Sequence, residues 1–359
     1  MGLFYFIISA VIGGMQLVAA AWFIKCFPQI GWKMPLLSVL VLTGLVLLGF
    51  VYTHSHHQGV LAGILYYVSY TWFGFVFLAF CCCVAFAVAN SVLAWCHVPT
   101  GWMGMLSLLV LVGVWTAALW GGFSQPRIKY VRVKIPQAPS MKLALLSDTH
   151  LGMGVSLERF KRVMRQIAAE KPDALFVLGD IFEYGPNLAA YAQPIRQLHT
   201  PLGTYGVLGN HEYYVGYTNS KDLFAQAGIK LLENQSVLLP NGVQVVGLKD
   251  IKTAGVREQD VEQLLRALPE GKSTFLLSHT PLYAENAAKH GVHLMLSGHT
   301  HNGQLWPFTY LVKMQFPRVY GLFDVNGMKF YITSGIFYWG TPLRFLSAPE
   351  IVIVEVNPA

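Results

Sequence analysis

No aspartate or glutamate precedes Asp148 in this chain of 359 residues, and only 12% of all residues are charged. Soluble proteins carry roughly 25% charged residues. A segment of this length without a single carboxylate lacks the mixed surface charge of a soluble domain. The first part of the chain is therefore predicted to lie in a membrane.

Cysteine is absent from the second part of the chain, since the five cysteines are Cys26, Cys81, Cys82, Cys83 and Cys96. The second part can therefore hold no disulfide, and cysteine gives no indication of its compartment. We interpret Cys81, Cys82 and Cys83 as small apolar residues that pack or face lipid, rather than as a lipidation or metal site.

Four nearly uncharged runs fall at residues 3–23, 35–52, 60–88 and 101–121. Each approaches or exceeds the ~20 residues that cross a hydrocarbon core, so we predict a four-helix transmembrane region over 1–125. A linker with a first strand follows over 126–140, and a second domain occupies 141–359. The first run lacks the basic residues that begin a signal peptide, so we expect it to be an anchor.

The formal net charge of +7 originates mainly in residues 1–140, because the remainder of the chain is nearly neutral. The basic residues before position 141 are Lys25, Lys33, Arg127, Lys129, Arg132 and Lys134. Charge that flanks a membrane does not indicate nucleic acid, and we expect no such partner. Most of these residues follow the last span, which favours a cytoplasmic second half. We expect a multi-pass membrane protein.

Short apolar runs alternate with amphipathic stretches in the second part of the chain. Leu157, Phe160, Val163 and Ile167, for instance, recur at helical spacing. Strands are predicted at 130–136, 141–146, 174–178, 204–208, 243–248, 273–277, 293–296, 329–333 and 351–356, and helices at 156–170, 187–198, 220–227, 259–268 and 283–289. This alternation indicates an α/β fold with much parallel pairing, in which ligands gather at the carboxyl ends of strands.

Five polar blocks, most of them directly after an apolar run, carry the chemistry of the second part. They are Asp148-Thr149-His150, Gly179 to Glu183, Gly209 to Glu212, Ser278-His279-Thr280 and Gly298 to His301. Two divalent ions about 3.5–4 Å apart can clamp the attacking and leaving oxygens of a phosphoryl transfer. Ions held that close need an anion between them, and we expect Asp180, after the Gly179 turn, to be that anion.

The order of these blocks resembles the calcineurin-like metallophosphoesterase superfamily, and the resemblance covers about residues 141–359. The run from Gly298 to Pro307, with the later run from Ser334 to Gly340, is similar to the bacterial membrane-anchored YkuE/YaeI-like branch. This similarity implies a location in a bacterial inner membrane. The resemblance implies an α/β metallophosphoesterase fold, a mixed β-sheet sandwich flanked by helices. It also implies a metal-dependent phosphoric ester hydrolase with two divalent ions.

The residues and the resemblance assign the same ligands. One ion would take Asp148, His150 and His301, with Asp180 as the bridge. The other would take Asn210, His279 and His299. If residues 299–301 are extended, alternation points both imidazoles to one face. Mn, Fe and Zn all suit such ligands.

His211 resembles the family residue that protonates the leaving oxygen or stabilises its charge. We expect Glu183 and Glu212 to orient ligands rather than to bind metal.

Structural or solvated placements are expected for Asp250, His199, His290, His293 and the loop His54 to His57. A metal-binding or pH-sensing role for that loop is the alternative.

A phosphorylated lipid is the expected substrate, because the chain is anchored and Trp306 to Phe323 is rich in aromatic residues. This segment could form an apolar wall or enter the interface, although packing against the domain is the other interpretation. Basic residues of one helix are expected to be solvated, with anionic headgroups as the alternative: Arg159, Lys161, Arg162 and Arg165. Arg344 could bind a phosphate.

Related enzymes of the superfamily cleave the pyrophosphate of a nucleotide-linked lipid A precursor, which serves as a model substrate. Two alternatives stay open. One is a phosphodiesterase for soluble nucleotides. The other is a catalytically weak, metal-dependent binding or scaffolding protein.

Overall fold

The computed structural model describes residues 2–54 and 59–359, which form two compact units. The first unit comprises residues up to Phe123 together with Gly340–Leu346, and the second comprises Ser124–Trp339 and Ser347–Ala359. The sequence patterns did not indicate that a short C-terminal segment groups with the N-terminal helices. The predicted histidine loop, residues 55–57 with the side chain of His54, lies outside the described part of the chain.

Four helices account for most of the first unit, and all are long and apolar enough to cross a membrane. They are α1 (Gly2–Cys26), α2 (Lys33–His54), α3 (Val60–Trp95) and α4 (Met103–Phe123). The predicted four-helix region is confirmed. Helix α3 has 36 residues and spans ~54 Å at 1.5 Å per residue, which exceeds a hydrocarbon core of ~30 Å. It is therefore long enough to extend beyond the bilayer or to cross it at a tilt.

Small residues bring the helices of the first unit close together. A Cβ atom at Gly49 would lie 1.7 Å from Ser69 Oγ, so α2 and α3 meet where only glycine fits. Trp22 Nε1 donates to Ser107 Oγ at 2.9 Å, which ties α1 to α4. Cys83 is buried beside Trp22. Close backbone approach and interhelical hydrogen bonds are the usual means of helix association in a membrane.

The segment Gly340–Leu346 packs on glycines of α4. A Cβ atom at Gly122 would lie 2.1 Å from the carbonyl oxygen of Pro342. The N–H of Arg344 donates to the Ala118 carbonyl at 2.9 Å, and the Arg344 side chain is buried. This contact therefore depends on backbone approach that any side chain at Gly122 would block.

The second unit contains two six-stranded sheets. Their strands are β1 (Arg127–Ile135), β2 (Met141–Leu146), β3 (Ala174–Val177), β4 (Gly203–Gly206), β5 (Lys230–Leu231), β6 (Gln235–Leu238), β7 (Gln244–Gly247), β8 (Thr274–Leu277), β9 (Val292–Ser297), β10 (Gly321–Val325), β11 (Met328–Ile332) and β12 (Glu350–Pro358). One sheet has the order β1-β12-β2-β3-β4-β5 and the other β10-β11-β9-β8-β7-β6, each with parallel and antiparallel pairs.

The two sheets enclose one core, and helices cover their outer faces. On β2, Leu143 and Leu145 belong to the core shared by both sheets, whereas Ala144 and Leu146 pack toward the helices. This alternation is the two-residue period of a strand. The flanking helices are α5 (Leu157–Ala169), α6 (Ala189–Arg196), α7 (Asn210–Gln226), α8 (Glu258–Arg266) and α9 (Ala284–Lys289). The predicted mixed-sheet sandwich flanked by helices is confirmed.

Several elements of the second unit were not predicted. Helix α7 begins at Asn210, ten residues before its predicted start, with a break in helical geometry at Gly216. Strands β5, β6 and β10 were missed because they are short or carry exposed polar residues. A further helix, α10 (Thr309–Gln315), lies within the aromatic segment.

Replacing Gly122 by alanine should destabilise the protein, because the new Cβ would press on the backbone of Pro342. Overpacking of this kind costs about 1–3 kcal/mol. Gly113→Ala on the same helix is the matched control, since a Cβ there meets nothing within 4 Å. Thermal unfolding of the purified protein in detergent measures both. Equal midpoints for the two variants would contradict the packing of Gly340–Leu346 on α4.

Candidate metal centre

The predicted ligands follow the carboxyl ends of parallel strands. Asp148 follows β2, Asp180 follows β3 and Asn210 follows β4, and these three strands are neighbours in one sheet. His279 and His299 follow the neighbouring strands β8 and β9 of the other sheet. Because parallel strands end at the same edge of a sheet, their polar residues gather there.

A first group consists of Asp148, His150 and His301, whose ligand atoms all lie within 4.8 Å of one another. The Nε2 atoms of His150 and His301 are 3.0 Å apart. His301 Nε2 lies 3.5 Å from Asp148 Oδ1. Asp148 is held by its neighbours, since Ser147 Oγ donates to its Oδ2 at 2.5 Å.

A second group consists of Asp180, His279 and His299. His279 Nε2 lies 3.1 Å from Asp180 Oδ2 and 3.1 Å from His299 Nδ1. His279 Nδ1 lies 2.8 Å from the carbonyl oxygen of Leu178, so this nitrogen carries the proton and donates. Its Nε2 is then the nitrogen that faces the group, and it would offer a lone pair to a metal that displaces its proton.

Asp180 lies beside both groups. Its Oδ2, which faces His279, is also 3.9 Å from His150 Nε2. Its Oδ1 accepts the backbone N–H of His211 at 2.9 Å. Burial opposes ionisation, but the charges of His279 and His211 hold the pKa of Asp180 well below its usual range. Asp180 is therefore an ionised carboxylate with one oxygen directed between the histidines.

These distances fit residues that share an ion. Ligand atoms about 2.1 Å from a common metal lie roughly 3.0–3.4 Å apart, close to the separations of 3.0–3.5 Å within each group. Asn210 supports the same fit. Its Oδ1 is buried and has no hydrogen-bond partner among the described residues, which is unusual for a buried amide oxygen and suits a metal ligand.

Adjacent imidazoles in the second group have pKa values that shift in opposite directions. Burial lowers the pKa of His279, but the charge of Asp180 outweighs burial and raises it to about 10. Burial and the neighbouring His279 charge lower the pKa of His299 to about 4. The two rings therefore hold one positive charge between them, where a bound cation would replace the proton.

Glu183 joins the first group to His211. Its Oε1 lies 3.1 Å from His150 Nδ1 and also contacts His211 Nδ1. Burial raises the pKa of Glu183, but His211 and His150 outweigh it and lower the value to about 2. Both Nδ1 atoms can therefore donate to one carboxylate, which fixes both rings and leaves each Nε2 facing the centre.

Glu212 acts on the backbone rather than on the ligand side chains. Its carboxylate accepts the N–H groups of Asp180 at 2.9 Å, Ile181 at 2.7 Å and Gly209 at 2.7 Å. These bonds hold the turn that carries Asp180 against the start of α7. Glu183 and Glu212 were both predicted to orient ligands. Glu183 contacts the imidazole rings, whereas Glu212 contacts the backbone that carries Asp180.

Close approach and strained backbone shape the centre. A Cβ at Gly209 would lie 2.2 Å from Asp180 Oδ1, and one at Gly298 would lie 2.3 Å from Asp148 Oδ2. Left-handed φ angles occur at Asp148, His150, Asp180, His299 and His301. Such strain is common at functional sites, where the surrounding structure enforces it.

The backbone over residues 299–301 is not extended, so the condition for both imidazoles to share a face is not met. His299 has φ 73° and His301 has φ 48°, both in the left-handed region. The two imidazoles enter different groups, in agreement with the predicted division of the ligands.

Other sequence candidates lie outside the two groups. Asp250 is buried and accepts from Thr280 Oγ1 at 2.5 Å, a structural contact. His290 pairs with Glu262 at 3.3 Å, and His293 Nδ1 accepts the N–H of Thr274 at 3.2 Å.

The expectation that Arg159 is solvated was wrong, and its burial also excludes the headgroup alternative. Arg159 is buried, with Nη2 donating to the Ser124 carbonyl at 2.9 Å and its guanidinium 4.7 Å from the centre of the Phe337 ring. Arg344 is buried in the first unit. Phosphate binding by Arg344 stays a prediction.

Sequence reasoning missed two of the aromatic rings around the histidines. The rings of Tyr214 and Trp339 lie 5.2 and 5.7 Å from that of His211. The buried ring of Phe316 lies 5.2 Å from that of His299. Trp339 belongs to the run from Ser334 to Gly340 that carried the family resemblance, whereas Tyr214 had no signal in the sequence.

Comparisons with known proteins agree with this arrangement. The family model for calcineurin-like phosphoesterases matches residues 141–303. An uncharacterized metallophosphoesterase of Aquifex aeolicus is 35% identical over 67% of this chain and 97% of its own length. A Bos taurus transmembrane protein with metallophosphoesterase domain is 31% identical over 70% of this chain and 61% of its own length. YkuE of Bacillus subtilis is 30% identical over 60% of this chain and 79% of its own length.

These relatives confirm the resemblance that the five polar blocks indicated, and one of them shares a transmembrane description. The clustered aspartates and histidines are able to bind metal ions. The chain therefore belongs to the calcineurin-like metallophosphoesterase family, and it is a membrane protein whose second unit is a metal-dependent phosphoester hydrolase.

Proposed function

We propose that the protein is a membrane-anchored phosphoesterase in which two divalent ions share Asp180 and in which the substrate is a phosphorylated lipid. The position of Asp180 Oδ2 supports the shared ligand most directly, at 3.1 Å from His279 Nε2 and 3.9 Å from His150 Nε2. An oxygen beside two histidine groups suits a ligand that two ions share.

The proposed ligands divide between the groups. Asp148, His150 and His301 would hold one ion, and Asn210, His279 and His299 the other, with Asp180 common to both. Bound ions would supply a nucleophilic oxygen at neutral pH and stabilise charge on the phosphoryl oxygens. Imidazole and carboxylate ligands suit Mn, Fe and Zn alike, so the ion that is bound depends on supply.

His211 is the proposed proton donor to the leaving oxygen. Glu183 contacts its Nδ1, and its Nε2 lies 4.0 Å from Asp180 Oδ2, facing the same centre. Burial lowers the pKa of His211, but the charges of Asp180 and Glu183 outweigh burial and raise it to about 9. This environment favours the protonated form of His211, which an acid catalyst needs.

The border of the site supports an apolar substrate. Tyr214 and Trp339, whose rings touch His211, are 58% and 54% exposed. An apolar rim beside the proton donor suits a substrate with a hydrocarbon part, and the membrane spans keep the enzyme near such substrates. A phosphodiesterase for soluble nucleotides would not need either feature, and a scaffolding protein would not need a proton donor.

Asp180→Asn should lose most activity together with bound metal, because it removes the shared negative charge without changing size. His211→Ala should keep the metal and lose rate by roughly 10²–10⁴. His293→Ala, outside the centre, is the control and should change neither. Elemental analysis alongside kinetics tests this, and chelation by EDTA should abolish hydrolysis by the wild type. Loss of metal from His211→Ala would show that its proposed role is incorrect.

Longer hydrocarbon chains on the substrate should lower KM. Each buried CH₂ contributes about 0.8 kcal/mol, or about fourfold in affinity. A series of lipid phosphates of increasing chain length, measured with the purified enzyme against a soluble chromogenic phosphoester, tests this. Phe308→Ser should raise KM for long chains only, because Phe308 is exposed. Phe316 is buried against His299 and is unsuitable for this test. A KM independent of chain length would favour the soluble-nucleotide alternative.

The catalytic unit should face the cytoplasm of a bacterial cell. Arg127, Lys129, Arg132 and Lys134 follow the last span, and the other end of the bundle has only Lys25 and Lys33. The structure places the four on β1, where Arg132 pairs with Glu355 at 2.8 Å. A C-terminal alkaline phosphatase fusion should be inactive and a fluorescent-protein fusion bright. The reverse pattern would place the enzyme outside the cell membrane.

A further inference from the structure

Helix α10 and the residues before it expose large apolar side chains. Exposed fractions are 44% for Trp306, 42% for Phe308, 59% for Tyr310, 56% for Leu311 and 84% for Met314. None of the residues of α10 is buried. We call these five residues the aromatic face. A concentration of exposed apolar side chains on one short segment marks a contact surface.

The aromatic face is fixed to the metal loop rather than loose. Thr309 Oγ1 donates to the Asn302 carbonyl at 2.9 Å, next to His301. A Cβ at Gly303 would lie 2.5 Å from Thr309 Cα, so the start of α10 sits directly on the loop. At the other end of the helix, Phe316 turns inward and packs its ring on His299. Both ends are therefore tied to metal-site histidines, and the apolar side chains between them stay exposed.

The chemistry of the segment fits a lipid surface. Tryptophan and tyrosine concentrate at membrane interfaces, and leucine, phenylalanine and methionine can enter the acyl boundary. No acidic residue occurs between Glu285 and Asp324. Lys313 lies among the apolar residues of α10, with its Nζ 5.8 Å from the centre of the Tyr310 ring. A basic, acid-free segment is attracted to anionic headgroups.

We infer that the aromatic face docks on the lipid bilayer. The four membrane spans tether the domain to a bilayer, so lipid is available at high effective concentration, and even a modest apolar face can bind there. Lipid is favoured over a protein partner because the face combines interfacial aromatic residues with a lysine. This contact holds whether or not the substrate is a lipid. It brings the loop of His299 and His301 beside the headgroups.

The test uses the full chain with its five cysteines replaced by alanine and one new cysteine, Met314→Cys, carrying an environment-sensitive fluorophore. Leu238→Cys is the matched control, because Leu238 is a large apolar residue that is 53% exposed on β6. Both proteins are placed in nanodiscs of phosphatidylcholine and phosphatidylglycerol, with and without brominated acyl chains. Turnover of a soluble chromogenic phosphoester verifies that each protein is folded.

Emission from position 314 should shift to the blue and lose intensity in brominated nanodiscs, whereas position 238 should do neither. Adding Leu311→Asp to the 314 protein should reverse both effects and leave turnover of the soluble substrate unchanged. Water-like emission at 314 in nanodiscs would overturn the inference. A blue shift without bromine quenching would also overturn it, because a second copy or another protein surface would then cover the face.

Discussion

The centre depends on keeping the Asp180 carboxylate ionised and fixed in place while it is buried. Such a group is costly unless its charge is paired and its oxygens accept hydrogen bonds. Here Oδ1 takes the N–H of His211, and Oδ2 faces the imidazoles. The turn that carries Asp180 is itself held, since Glu212 accepts the N–H groups of Asp180 and Ile181 in the turn and that of Gly209 before α7. One buried carboxylate thus organises another, through the backbone that lies between them.

Much of the remaining architecture follows from bringing so many polar groups to one point. Side chains from five strand ends can meet only if the connecting turns are tight, and this explains the glycines at 209 and 298 as well as the left-handed ligand residues. Strain of that kind persists only on a rigid base. The buried strands of the two packed sheets supply that base, and β2 illustrates it with apolar residues on both faces.

Sequence patterns could predict the features that depend on residues close together in the chain. Apolar runs located the membrane helices and most strands, and polar blocks at the run ends located the residues of the two groups. Patterns could not predict the left-handed turns at His299 and His301, because tertiary contacts impose them. The early start of α7 was not predicted because the block containing Asn210 and His211 resembles a loop motif, although these residues form the first turn of the helix. Burial of Arg159 and the packing of Gly340–Leu346 on Gly122 depend on partners that are distant in sequence.

The source of positive charge at the centre links metal binding to substrate binding. Among residues 2–54 and 59–359, no lysine or arginine forms an ion pair with Asp148 or Asp180, and their charged partners are histidines. A phosphate is an anion, and the carboxylates of Asp148 and Asp180 would repel it because only histidines offset their negative charge. Divalent ions would make the net charge of the centre positive, and they would also replace the protons that the imidazoles share. Bound metal should therefore favour phosphate binding, and because such coupling is reciprocal, bound phosphate should favour metal binding.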